Sequence, residues 1–201
     1  MEFRRLEQFL ETIKSETYPE APSKLHTDLT HQMFEYVMAK CPLPPGAKVL
    51  DVGCGQGVAL ELFARRGLSA VGITLNAEDA RICREKGYTV HEMDQSFLDF
   101  EAEEFDFIWS RHCLEHSVFP YFTLSEMFRV LKPLGWLYLE APAPDTACRH
   151  QANRNHYSVL GKSMWMELIG RAGFRLIDVV DISFTVVAGP DVYWAFIQQK
   201  P

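Results

Sequence analysis

The chain has no run of about 18 apolar residues, so no segment is long enough to cross a bilayer as a helix. It has no C-x-x-C pair. Its five cysteines, at positions 41, 54, 83, 113 and 148, are odd in number and scattered. That pattern argues against a disulfide framework or a zinc knot and fits reduced thiols in a cytoplasmic compartment. It has no cluster of Lys or Arg and carries a net charge of −7. A nucleic-acid duplex is therefore a poor main partner, because phosphate neutralisation needs gathered basic residues. The N-terminus mixes acids with its apolar residues and resembles neither a signal nor a transit peptide. There is no internal repeat and no low-complexity tract. What remains is 201 residues, 47% of them hydrophobic, enough for one well-cored domain.

Against these absences stands Val49-Leu50-Asp51-Val52-Gly53-Cys54-Gly55-Gln56-Gly57, followed by the helix-like run Val58 to Arg66. An apolar strand ends in an acid, turns through three alternate glycines and opens a helix. Glycine permits φ > 0 and lets a ligand approach the backbone closely. The helix start presents unpaired N–H groups to an anion. Asp51 discriminates among ligands, because a carboxylate before the turn would repel a dinucleotide pyrophosphate. S-adenosylmethionine instead brings a sulfonium, an ammonium and one carboxylate. The spacing also departs from the nicotinamide-cofactor fingerprint: the sixth position is Val58, and the second strand ends in Thr74 with no acid. The plain alternative is a tight strand-to-helix turn of any α/β protein.

Helical spacing runs from Phe3 to Ser15, and Tyr18-Pro19-Glu20-Ala21-Pro22 breaks it. Ser23 is placed to cap a second helix reaching Lys40, and Cys41-Pro42-Leu43-Pro44-Pro45-Gly46 stops the chain. Strands and helices then alternate: strands over 48–52, 70–74, 88–92, 105–110 and 136–140, helices over 58–66, 77–86, 121–131 and 163–172. Strands over 174–182 and 192–198 close the chain as an antiparallel pair joined by Ala188-Gly189-Pro190-Asp191. Such alternation predicts an α/β fold, a doubly wound, mostly parallel seven-stranded sheet with an antiparallel C-terminal strand. Residues 1–45 read as an N-terminal helical lid and residues 46–201 as a single compact unit. Ligands of such sheets sit beyond the carboxyl ends of the strands, here Asp51, Thr74, Asp94, Ser110 and Glu140.

From residue 46 to 198 the chain resembles the class I S-adenosylmethionine-dependent methyltransferases, and within them the type 11-like group. The resemblance is carried by 49–57, Val71-Gly72-Ile73-Thr74-Leu75-Asn76, 94–100, the run from Phe105 to His116, Met127 to Gly135, and Ala172-Gly173-Phe174. It implies S-adenosylmethionine as cofactor and methyl transfer to a small-molecule O, N or C nucleophile. Asp51, Gly53 and Gly55 would cradle the methionine end. Thr74 and Leu75 would lie along ribose and adenine, and Asp94 would accept from the adenine amino group with Gln95 and Ser96 nearby. Ser110 and Arg111 would offer backbone atoms beside the methyl. Thr74 stands where the family usually has an acid, so one hydroxyl replaces two carboxylate oxygens, with Asn76 as a supplement. Leu134 replaces a turn glycine.

Further chemistry is carried by three histidines and a loop. His116, His150 and His156 are the candidate bases for an acceptor that must lose a proton. Cys148 to Tyr157 forms a polar loop where the family builds its substrate wall, and Arg149, Arg154 and Tyr157 are the candidate substrate contacts. His112-Cys113-Leu114-Glu115-His116 formally matches the H-x-x-E-H pattern of some zinc proteases, with His112 and His116 on one helix face. No metal is expected. A non-catalytic cofactor-binding protein, an RNA methyltransferase and a zinc hydrolase are the other readings. The acceptor and the oligomeric state are not written in the sequence.

Overall fold

The computed structural model describes residues 3–19 and 21–201. Met1 and Glu2 of the expected N-terminal segment, and Glu20 of the expected break, lie outside the described residues.

Strands β1 (Lys48–Val52), β2 (Ser69–Thr74), β3 (Thr89–Glu92), β4 (Phe105–Arg111), β5 (Leu131–Pro142), β6 (Arg175–Val186) and β7 (Gly189–Gln199) form one sheet in the order β3-β2-β1-β4-β5-β7-β6. β1 to β5 pair in parallel, and β7 runs antiparallel to both β5 and β6. Around it lie α1 (Phe3–Ser15), α2 (Lys24–Lys40), α3 (Val58–Arg65), α4 (Ala77–Glu85), α5 (Pro120–Val130) and α6 (Lys162–Arg171). The sheet winds outward from β1 to β3 and returns beside β1 as β4. That reversal is the switch point where such sheets open a crevice.

The period-2 alternation of the inner strands divides the core between two faces. Leu50, Val52 and Ile108 point to the side of α5 and α6 and join Leu124, Met127, Trp165 and Ile169. Val49, Phe107 and Trp109 point to the side of α2 and α3 and join Met33, Phe34, Val37 and Phe63. Phe63 meets Phe34 at a ring separation of 5.1 Å and Trp109 at 6.0 Å, both edge-on. Each fully buried side chain of this size contributes about 1.5–3 kcal/mol, and Phe63→Ala would cost about 3–5 kcal/mol by opening a cavity between α2 and the sheet.

α2 starts as expected, with Ser23 Oγ accepting from the His26 N–H. In α1, by contrast, none of the described residues is buried. Two expectations need correction. The final hairpin turns at Val187-Ala188, and Gly189, Pro190 and Asp191 already belong to β7. Pro190 is tolerated there because β5 pairs with β7 only as far as Tyr193. β5 also begins five residues earlier than expected, at Leu131, which pairs with Phe105 across a register shift.

Candidate active site

The chain leaves β1 through Gly53, Gly55 and Gly57, with φ of +74°, +47° and +88°. The Gly53 and Cys54 N–H groups both donate to the Ile73 carbonyl at 3.0 Å, which ties the turn to β2. A Cβ at Gly53 would lie 2.6 Å from Cys113 Sγ, so only glycine fits. Just before the turn Asp51 is buried, and its Oδ2 has no hydrogen-bond partner among the described residues. Burial, with a smaller contribution from Cys83, pushes its carboxyl up to about 8.

Two cavities flank this turn. The first, about 120 Å³, is lined by Gly53, Gly55, Thr74, Leu75, Asp94, Gln95 and Ser96, and roofed by Leu10, Ile13 and Tyr18. The second, about 510 Å³, is lined by Asp51, Arg111, His112, His150, His156 and Tyr193. Gly53, Gly55, Tyr18 and His116 border both. An orphaned carboxylate for a cationic group and a glycine cradle between two joined cavities fit S-adenosylmethionine, with its adenosine part in the smaller space.

Local hydrogen bonds explain how these side chains are aimed. Asp94 Oδ1 accepts the Ser96 N–H at 2.7 Å, and Gln95 Nε2 donates to the Cys113 carbonyl at 2.7 Å. Thr74 Oγ1 accepts the Asn76 N–H, and Asn76 Oδ1 caps α4 by accepting from Glu78 and Asp79. The Asn76 carbonyl oxygen, offered from the sequence as a supplement to Thr74, is thus engaged in the cap. Asp79, buried and lining the first cavity, brings an acid to this wall five residues after Thr74. A search for an acid at the strand end passes over it.

Other sequence-derived residues lie elsewhere. Ser110 is fully buried and borders neither cavity. Arg149 and Arg154 are exposed and also border neither. Tyr157 lines the first cavity, and its hydroxyl donates to Glu16 at 3.2 Å. The loop after β5 therefore turns its histidines, not its arginines, toward the larger cavity. Nor do His112 and His116 share a helix face. His112 has a left-handed backbone (φ +51°), and only Leu114–His116 coil, as a short 3-10 turn.

A charged network closes one wall of the larger cavity. Arg111 Nε lies 2.8 Å from Glu140 Oε1, and Arg111 also donates to Thr30 Oγ1 of α2 at 3.1 Å. His112 contacts Glu140 through Nε2 at 2.9 Å and Glu115 through Nδ1 at 3.4 Å. Burial opposes the charge on His112, but these two carboxylates outweigh it and hold the imidazole up to about 9. Burial likewise opposes the charge on Glu140, while Arg111 and His112 bring it down to about 2. The Tyr138 hydroxyl also donates to Glu140. His150 Nε2 lies 2.9 Å from Asp191, and burial pushes His156 down to about 4, so it is neutral at ordinary pH. His26 and Tyr193, 3.3 Å apart, complete the wall. No local pattern marks them, since α2 and β7 bring them together from opposite ends of the chain.

A methyltransferase-domain family model matches residues 23–179. Among curated relatives, the ubiquinone biosynthesis O-methyltransferase of Haemophilus ducreyi is 33% identical over 117 residues, 53% of this chain and 50% of that protein. The protein of the same name from Xanthomonas axonopodis pv. citri is 36% identical over 127 residues, 60% of this chain and 53% of that protein. The chain spans about half the length of the curated relatives it matches. A S-adenosylmethionine-dependent methyltransferase from Archaeoglobus fulgidus superposes with a TM-score of 0.70 at 18% identity, covering 86% of this chain and 93% of that one. The [4+2]-cyclase SpnF superposes at 0.72 with 21% identity, covering 92% and 85%. Likeness at that identity shows the fold alone, and the cyclase illustrates that this fold does not dictate the reaction. The chain belongs to the methyltransferase-domain family, and its cofactor is S-adenosylmethionine.

Proposed function

We propose that this protein methylates a hydroxyl oxygen of a small molecule bound in the 510 Å³ cavity. One observation carries the reading: the glycine turn and His116 border both cavities, so a donor in the smaller space meets an acceptor in the larger one. Both curated relatives are O-methyltransferases by name, which supports oxygen as the acceptor atom. When bound, the cofactor supplies an electrophilic methyl on a sulfonium.

The chain's own residues do the rest. Asp51 faces the cationic end of the donor, and Gly53 and Gly55 keep the turn bare of side chains. Asp94, Gln95, Thr74 and Leu75 hold the adenosine part, joined by Asp79. Alignment and exclusion of water account for much of the acceleration, up to about 7–11 kcal/mol in favourable cases. His150, oriented by Asp191, is placed to take the acceptor proton.

Within the helical lid read at residues 1–45, α1 is the moving part, since none of its described residues is buried, whereas α2 packs Met33, Phe34 and Val37 into the core. We place the protein in the cytoplasm. None of the five cysteines forms a disulfide, and no described helix is long and apolar enough to cross a membrane. Calorimetric titration with S-adenosylmethionine, followed by a transfer assay on alcohols and phenols, tests the function. Cofactor binding without turnover on any acceptor would favour a non-catalytic role, and an absence of binding would end the methyl-transfer reading.

A further inference from the structure

The H-x-x-E-H stretch leaves one arrangement that methyl transfer does not use. Glu115 and His116 on the 3-10 turn meet His156 of the loop after β5, and one ligating atom from each lies within 4.8 Å of the other two. The His116 and His156 rings stand edge to face at 4.7 Å. These side chains hold lone pairs in unusual number. Glu115 is 1% exposed, and its Oε2 has no hydrogen-bond partner among the described residues. Its other oxygen faces His112. His156 Nδ1 is likewise buried and without a partner among the described residues. His116 Nδ1 lies 2.9 Å from the Asn155 carbonyl. A carbonyl can only accept, so Nδ1 carries the proton and Nε2 keeps its lone pair. A backbone carbonyl fixing the tautomer in this way is the usual outer support of a metal-bound histidine.

Buried lone pairs without donors are rare in folded proteins and call for an explanation such as an ion. We propose that Glu115, His116 and His156 form a binding site for a first-row divalent cation, with Zn²⁺ the best chemical match. Two imidazoles and one carboxylate are borderline ligands that suit zinc and its neighbours, whereas Mg²⁺ and Ca²⁺ favour all-oxygen shells. Three protein ligands leave a position open, as in catalytic and not structural zinc sites. That position faces the larger cavity, which His116 and His156 both line.

The motif therefore acts differently from the protease pattern it imitates. Glu115 is a ligand instead of a base, and His112 is occupied by Glu140. The role of the ion rests on the methyl-transfer reading: a cation there would stabilise negative charge on an acceptor oxygen as its proton leaves. Binding of the ion stands apart from that reading. The neighbouring Cys148, His150 and Asp191 form the competing cluster, but there Asp191 already engages His150.

The test uses the untagged 201-residue chain, stripped with a chelator and titrated with Co²⁺ while visible absorption is recorded. Neither donor nor acceptor is needed, so failure of methyl transfer and failure of the metal site are separate results. The expected outcome is a saturable ligand-field spectrum of low-coordinate Co²⁺, displaced by Zn²⁺. Affinity should fall about 100-fold in His156→Ala and in His116→Gln, each checked for folding by circular dichroism and thermal melting, and should hold in Cys148→Ser. Absence of a saturable spectrum at millimolar Co²⁺ would overturn the proposal. So would a thiolate band that vanishes in Cys148→Ser, or full affinity in folded His156→Ala and His116→Gln.

Discussion

His112 Nε2 lies 2.9 Å from Glu140 Oε1, at the end of two adjacent strands and beneath the first turns of α2. Arg111 contacts the same oxygen and reaches Thr30 on α2, so one buried carboxylate serves two cations and helps anchor a helix. Because the folded protein holds His112 up to about 9, its contribution to stability is complete below its unfolded value of 6.5 and disappears as pH rises through about 9. Glu140, held down to about 2, contributes above its unfolded value of 4.5 and loses that contribution as pH falls through about 2. Urea unfolding should therefore show highest stability from this pair between about pH 4.5 and 6.5. Glu140→Gln strands two buried cations and should cost about 3–5 kcal/mol. It should also weaken the decline on the alkaline side, with Glu115 sustaining the remainder, and an unaltered decline in that variant would refute the pairing.

Asp51 makes cofactor binding a proton-linked event. Burial raises its carboxyl to about 8, so in the free protein at pH 7 it is mostly neutral. A cationic donor demands the carboxylate, and binding must then release a proton. Affinity for S-adenosylmethionine should climb toward pH 8, on the order of tenfold per pH unit, and level off above it. Calorimetry in buffers of different ionisation enthalpy reads the released proton directly. Asp51→Asn should bind more weakly and show a flat profile. Equal proton release by wild type and Asp51→Asn would place the linkage elsewhere.

Gly53 and Gly46 share a φ of +74°, but their surroundings differ. A Cβ at Gly46 meets nothing within 4 Å among the described residues, whereas at Gly53 it would overlap Cys113. Gly46→Ala should thus show only the backbone penalty of about 1 kcal/mol. Gly53→Ala adds a steric overlap worth about 1–3 kcal/mol more and should displace the turn enough to lose cofactor binding. Paired thermal melts and cofactor titrations check both. Similar behaviour of the two variants would mean that strain, and not the packing of Cys113, dictates glycine at position 53.

How much of this was legible beforehand follows from the range of the forces involved. Local signals were sufficient for α1, α2 and β1, whose observed bounds match the periodicity and the Ser23 cap. The glycine turn was equally legible, because positive φ at 53, 55 and 57 is a property of single residues. The hairpin was misplaced for a complementary reason: Gly189-Pro190-Asp191 reads as a turn locally, yet pairing with β6 pulls all three residues into β7. In the larger cavity His26 and Tyr193 are 167 positions apart. Only the sheet order brings them together, and no spacing announces it. Arg149 and Arg154 look like substrate contacts by charge alone. Their loop is pinned to the N-terminal segment through the Asn153 and Asn155 side chains, and both arginines are left exposed.

The same pinning makes the lid testable. Asn155 Nδ2 donates to the Glu16 carbonyl at 2.9 Å, and Asn153 Nδ2 reaches the Tyr18 hydroxyl at 3.4 Å. Tyr157 adds its hydroxyl to the Glu16 carboxylate. These exposed contacts are individually worth little, and no described residue of α1 is buried, yet Leu10, Ile13 and Tyr18 roof the first cavity. A chain beginning at Ser23 should keep its fold, because the core contacts of the N-terminal region come from α2. Its unfolding free energy should stay within about 1 kcal/mol of the full chain. Its affinity for S-adenosylmethionine should fall on the order of tenfold, almost entirely through faster dissociation, as expected when a closing segment is removed. Stopped-flow release of the cofactor separates the alternatives: an unchanged off-rate would mean that the segment decorates the cavity without closing it.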